Sequence, residues 1–253
     1  MRALLRALSA ELVKLRGTLA LRLCWIAPAV VVGLQVAMLL VRDLGRQEMP
    51  TPEAAWLRFA QECLGLWVFL MLPLYVTLQA ALLAQLDHGE RQWKHLLALA
   101  CPKWVHPAAK SIVLLAMTAA AFVALAAFIA LGGGVLAFAK PVLGIGGLPP
   151  LSFLFERSAL ALVAASCMMA IQSWIAVRWT SFTVAVATGM SATVVGFLVG
   201  QSPDYRPFYP WSMTLEVLAR GDHDPTRTIS ISLAGAGIVT ALALVEFVHR
   251  ERE

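Results

Sequence analysis

Charged residues and histidine are missing from six stretches of the chain, 23–41, 63–86, 111–139, 158–177, 179–203 and 228–245, each at least 18 residues long. A helix needs about 20 apolar residues to cross about 30 Å of hydrocarbon. The pattern therefore predicts six spanning helices, near residues 21–41, 64–86, 111–134, 156–178, 180–200 and 229–248. A β-barrel would instead show segments of about 10 alternating residues. Continuous apolar runs also let the backbone satisfy its own hydrogen bonds in lipid, which a helix does within one segment. The expected fold class is all-α: a polytopic membrane protein with residues 1–253 forming one transmembrane domain.

Composition agrees, with 60% hydrophobic and only 14% charged residues among 253 and a mean hydropathy of +0.76, far from water-soluble values. The net charge of +5 adds direction. With the N-terminus inside, twelve lysines and arginines fall on the cytoplasmic side and eight outside, the sign of the positive-inside rule. Both termini are then cytoplasmic, and the positive charge serves the lipid surface, with no nucleic-acid partner expected. Cys24, Cys63, Cys101 and Cys167 form no CxxC pair, so neither a disulfide framework nor a metal site is implied. The first apolar run follows a basic segment of about 20 residues and lacks an A-x-A-like cleavage site, which marks a retained span rather than a signal peptide.

Between spans, residues 141–153 (PVLGIGGLPPLSF) are apolar but too rich in Gly and Pro for a seventh span, and read as loop or a shallow re-entrant segment. Residues 201–228 form the most turn-rich outer loop, interrupted by Pro203, Pro207, Pro210 and Pro225. Small residues cluster at Gly132–Gly134, at Gly196 and Gly200, and at Gly235-Ala236-Gly237, where helices of one chain or of two subunits could approach closely.

Two segments are amphipathic. Residues 1–20 place Leu4, Leu8, Leu12, Leu15 and Leu19 at helical spacing with Arg2, Arg6 and Arg16 off that stripe, predicting an interfacial lead helix. It serves either as a basic anchor or as a transmitter of motion. Residues 87–102 offer Asp87 as an N-cap, Glu90 as its capping-box partner, and Pro102 as a stop. Trp93, Leu96, Leu97 and Ala100 share one face of this short helix, while Glu90, Arg91, Lys94 and His95 crowd its first turns. Such a helix could lie on the membrane or dock into a cytosolic partner.

The apolar runs hold amides and hydroxyls but no ionisable group; Gln35, Gln79, Gln172, Ser166 and Ser173 are either bonds between helices or pathway lining. Ion-coupled carriers place an ionisable or specialised polar site near mid-membrane, so the pattern argues against one. Gly189-Met190-Ser191-Ala192 faintly resembles a rhomboid-type serine motif, but no span supplies a histidine base. HExxH and the P-loop G-x-x-x-x-G-K-[ST] are absent too, so no catalytic residue is assigned and no ATP hydrolysis by the P-loop route is expected of this chain.

A six-span bundle with a basic lead helix and a short capped helix in its first cytosolic loop resembles the membrane subunit of type-2 ABC exporters. Glu11-x-x-Lys14 is similar to the E-x-x-K opening common in that group. The run Glu90-Arg91-Gln92-Trp93-Lys94-His95-Leu96-Leu97 resembles its cytosolic helix, in which a glutamate is followed by W-K-x-L-L, and Lys110 matches a lysine that often opens the third span. Pro210-Trp211 in the last outer loop brings the chain nearest to permeases of bacitracin and lantibiotic immunity, while Ala100-Cys101-Pro102 departs from the usual helix end. The resemblance implies a permease of the bacterial cell (inner) membrane. It would pair with a second permease half, as homodimer or paralogous heterodimer, and with two copies of a cytosolic ABC ATPase. ATP and Mg2+ would bind the ATPase and no cofactor this chain. Residues Glu90, Arg91, Trp93, Lys94 and Leu97 would then form the coupling helix that enters a groove on the ATPase. The apolar, weakly polar path fits an amphipathic or hydrophobic cargo such as an antimicrobial peptide. A multispan scaffold or assembly factor would share the composition without needing a capped, aromatic cytosolic helix.

Overall fold

Gly17, at φ +78°, is where the chain turns from the lead helix into the bundle, a backbone angle that a side chain would oppose. The lead helix α1 (Arg2–Leu15) ends two residues before it, and Thr18, immediately before α2 (Leu19–Val41), caps that helix through its Oγ1, which accepts from the Leu21 N–H. The computed structural model describes residues 2–42, 51–88, 102, 104–219 and 225–249. The second span is one long element: α3 (Pro52–Leu66), a wide turn at Trp67–Met71 in which the Leu72 N–H reaches back to the Trp67 carbonyl, and α4 (Leu72–His88). The third is α5 (Val105–Ala139). The fourth is bent by 48° between α6 (Leu151–Ala164) and α7 (Ser166–Arg178), and α8 (Phe182–Val199) is the fifth. A short α9 (Met213–Leu218) precedes the sixth span, α10 (Pro225–His249). Five helices are long and apolar enough to cross a membrane, the bent pair α6–α7 makes a sixth when taken as one span, and no strand occurs among the described residues. Residues 141–150 hold only a single 3-10 turn, Pro141–Leu143, and loop.

The second and third spans are the axle of the bundle, 61% and 56% buried along their apolar windows against 22%, 22% and 11% for α2, α8 and α10. Where they cross, Trp67 packs against Tyr75 at a tilt and against Phe122 edge to face, and the Tyr75 hydroxyl donates to the Met117 carbonyl at 3.1 Å. Around this axle Trp25, Val30, Leu34, Met38, Val194 and Leu242 are exposed, the surface a bilayer covers. Cys24, Cys63 and Cys167 are buried free thiols; Cys101 lies outside the described residues.

Small residues let helices of this chain approach each other. A Cβ at Gly133 would lie 2.1 Å from the Trp56 ring, and one at Gly189 would lie 2.3 Å from Thr77 Oγ1. Gly132 abuts Val32, Gly196 abuts Trp211, and Gly235 abuts Cys167, while Gly134 and Gly237 face open space.

Two expectations change. The lead helix does not bury its whole leucine stripe: Leu15 and Glu11 face inward, whereas Leu12 is 56% exposed. A carboxylate displaces a leucine because buried lysines wait for it. The helices also run past the apolar runs, the second over 36 residues and the third over 35, so Glu62, two residues outside the predicted span of 64–86, stands within a continuous helix.

Candidate coupling site

Asp87 is the first charged residue after the second apolar run and Lys110 the last before the third, so they close the two ends of the intervening loop. Glu11 and Lys14 are three residues apart on α1, which puts both on one helix face. The fold brings the four together. Lys14 Nζ lies 2.9 Å from Glu11 Oε1 and 2.7 Å from Asp87 Oδ1, and Lys110 Nζ lies 3.0 Å from Glu11 Oε2 and 2.7 Å from Asp87 Oδ2. Each carboxylate thus gives one oxygen to each lysine, forming a closed ring of alternating charge with no net charge. Lys110 also donates to the Leu83 carbonyl at 2.8 Å, toward the C-terminal end of α4, where the helix dipole favours a cation.

The ring is interior. The Asp87 and Lys110 side chains are 0% and 2% exposed, Glu11 4% and Lys14 25%. Burial disfavours the Lys14 ammonium, but its hydrogen bonds to Asp87 and Glu11 outweigh that cost and hold its pKa above the ordinary lysine value. His106, one turn before Lys110 on α5, is buried in the field of all four groups. A buried network of this kind gains little stability over apolar packing, yet loses several kcal/mol when one member is removed, so it specifies geometry more than it adds stability.

That geometry is mechanical. The ring ties α1, the end of α4 and the start of α5 at one point, at the two ends of the loop between Asp87 and Lys110. No group of three or more His, Cys, Asp or Glu with metal-binding geometry occurs among the described residues.

Three residues of the exporter-like motifs, Glu11, Lys14 and Lys110, therefore meet in one site. Asp87 pairs with both lysines, and the helix that it is expected to cap lies outside the described residues. Glu90, Arg91, Trp93, Lys94 and Leu97 lie outside the described residues. The three span amides separate from this site: Gln79 donates to the Ala20 carbonyl at 2.8 Å and Gln172 to the Ala185 carbonyl at 2.6 Å, both wholly buried between helices, whereas Gln35 is half-buried and donates to Glu62 Oε2 at 2.8 Å. Trp211 of the Pro210-Trp211 pair packs over Gly196, and the neighbouring Tyr209 hydroxyl donates to the Ala192 carbonyl, which seats the last loop on α8.

Sequence reasoning missed a second tie on the face that carries the termini. Arg178, at the end of α7, pairs with Glu246 near the end of α10, and Glu246 Oε2 accepts the Trp174 indole N–H at 2.8 Å. The available signal was position: Arg178 is the single charge between the fourth and fifth apolar runs and Glu246 the first after the sixth.

A family model described as ABC-2 family transporter protein matches residues 7–199, from the lead helix to the end of α8, and so includes all four members of the ring. No curated protein matches the chain.

Proposed function

The chain belongs to the ABC-2 transporter family, and from that premise we propose that it is the permease half of an exporter in which the charge ring passes the stroke of a cytosolic ATPase into the membrane helices. An ABC permease of this family works with an ABC ATPase partner in a membrane. The proposal goes further: two ATPase copies, each holding ATP and Mg2+, bind two permease halves, as homodimer or paralogous heterodimer. The face carrying the termini is cytoplasmic in a bacterial cell membrane. The cargo is amphipathic or hydrophobic, of the kind handled by bacitracin and lantibiotic immunity permeases.

The observation that carries the reading is the ring itself. It clamps both ends of the loop that contains Trp93 and Leu97 and joins them to α1. A scaffold has no use for such a clamp, because nothing need be transmitted from the loop. In this reading Trp93 and Leu97 fill an apolar groove on the ATPase, while Glu90, Arg91 and Lys94 make rim contacts. Truncating an aromatic anchor at an interface typically costs on the order of 2 kcal/mol, and a rim charge less than about 1 kcal/mol. Trp93→Ala is expected to weaken co-purification of the ATPase about thirtyfold and abolish transport without impairing membrane insertion, and Lys94→Ala to act mildly. Full ATPase association by Trp93→Ala would remove the assignment.

A further inference from the structure

Glu62 is a carboxylate placed where a membrane protein rarely puts one without a use. Gln35, which holds its Oε2 at 2.8 Å, lies six residues before the end of α2, so the pair sits about 9 Å inside that end at 1.5 Å per residue. Arg58, one turn further out on α3, contacts Oε1 through its Nε at 3.2 Å. This pairing differs from the closed ring on the other face. Arg58 is 63% exposed and the Glu62 side chain 32%, so the carboxylate opens onto space instead of being sealed by its partner.

Three clefts share that carboxylate. One of about 450 Å³ runs between α3, α6 and α9, walled by Leu64, Phe153, Leu160 and Val217. One of about 490 Å³ lies against the end of α2, beside Ala37, Met38, Leu39 and Val41, and one of about 570 Å³ lies beside Ala54 and Leu57. The cleft against α2 has mainly apolar walls, whereas the other two are about half polar, with Gln61 beside Glu62 in both, and clefts of this size that join the two kinds of wall suit small amphipathic ligands. Among the described residues, the other charges at the clefts are Arg42, Glu156 and Arg157. Arg157 is occupied by the Phe153 ring and the Val217 carbonyl. Arg58 has a long stem that can carry its charge out to the interface.

We propose that Glu62, oriented by Gln35, is the cation-recognition point of a vestibule on the face opposite the termini, and that the cargo is an amphipath bearing an ammonium or guanidinium group on an apolar body. This names the cargo class for the transporter reading and rests on it. The incoming cation takes the place of Arg58 on the carboxylate while the apolar body lies along the cleft walls, and the return of Arg58 displaces it.

The test uses the permease in phosphatidylcholine nanodiscs, with empty discs subtracted, and three dansyl-labelled C12 chains ending in a primary amine, an alcohol or a carboxylate. The amine is expected to bind about tenfold more tightly than the alcohol, as a charge-assisted hydrogen bond exceeds a neutral one. Glu62→Gln, which keeps the shape and the bond to Gln35, should bring amine affinity down to that of the alcohol and leave the alcohol unchanged. Arg58→Ala should raise amine affinity by removing its competitor. A wild-type preference for the carboxylate or for none of the three, or an amine preference that survives in Glu62→Gln, would overturn the proposal. ATPase co-purification is read on the same samples. If the ATPase stays bound and the amine preference is missing, the vestibule fails alone; if the preference is present and the ATPase never associates, the coupling reading fails alone.

Discussion

Lys110→Met is expected to lower the stability of the permease by about 3–5 kcal/mol, because it leaves Asp87 and Glu11 buried with Lys14 as their only shared cation. Methionine keeps the unbranched apolar stem of the lysine and is shorter by one atom, so packing changes little and the loss is that of the ammonium, with its ion pairs and its bond to the Leu83 carbonyl. Lys14 itself is the more exposed of the two lysines and cannot reach the far oxygens of both carboxylates at once. The double variant Asp87→Asn/Lys110→Met restores neutrality around the remaining Glu11–Lys14 pair, and should recover a large part of the loss. The departure from additivity, more than about 1 kcal/mol, measures the ring as a unit. Thermal melting in detergent reads stability, and ATPase stimulation by the reconstituted permease reads coupling. Stimulation should stay low in the double variant even where melting recovers, since α4 and α5 are then no longer tied through the ring. Wild-type melting of Lys110→Met would show that the ring contributes nothing.

Gly133→Ala is the second large effect, and its cause is purely steric. The added methyl would lie 2.1 Å from two ring carbons of Trp56, which is only 4% exposed and has no room to swing aside. Overpacking of this kind costs typically about 1–3 kcal/mol and more where a ring must move. Trp56→Leu on the same background should return most of the loss by making space. Gly134→Ala is the matched control, because nothing lies within 4 Å of its added carbon, and alanine is the better helix former by up to about 1 kcal/mol. A lower melting temperature for Gly133→Ala, with Gly134→Ala at or above wild type, is the expected pattern. Equal melting of the two would refute the close approach of α3 and α5.

The spans were legible because insertion in lipid punishes every charge, so charge-free runs mark them with little interference from tertiary detail. Glu11, Lys14 and Lys110 were visible as motif residues, but their meeting was not. Lys14 and Asp87 are 73 residues apart, and no local signal names a partner at that distance. The same blindness misassigned Leu12, since hydrophobic periodicity turns any carboxylate outward and had no means of knowing that Glu11 would find two buried ammonium groups. Glu62 was lost to a different simplification. A charge was taken as the edge of a span, whereas helix α3 continues outward for ten residues beyond it to Pro52, and a neighbouring helix supplies Gln35 to hold the carboxylate.

The wide turn at Trp67–Met71 settles which neighbours the two acidic ends of the second span can address. Glu62 and Asp87 are 25 positions apart, and at about 100° per residue an unbroken α-helix would bring them within roughly 20° of the same bearing. The turn spends about one surplus residue on the same advance, which rotates everything beyond it by roughly a quarter to a third of a revolution. Asp87 is thereby aimed at α1 and α5 while Glu62 is aimed at α2 and the clefts. The same 25 positions wound as an unbroken α-helix would still be apolar, yet both carboxylates would compete for a single side of the bundle. The division of labour between the two faces of the permease thus depends on a phase offset of one residue.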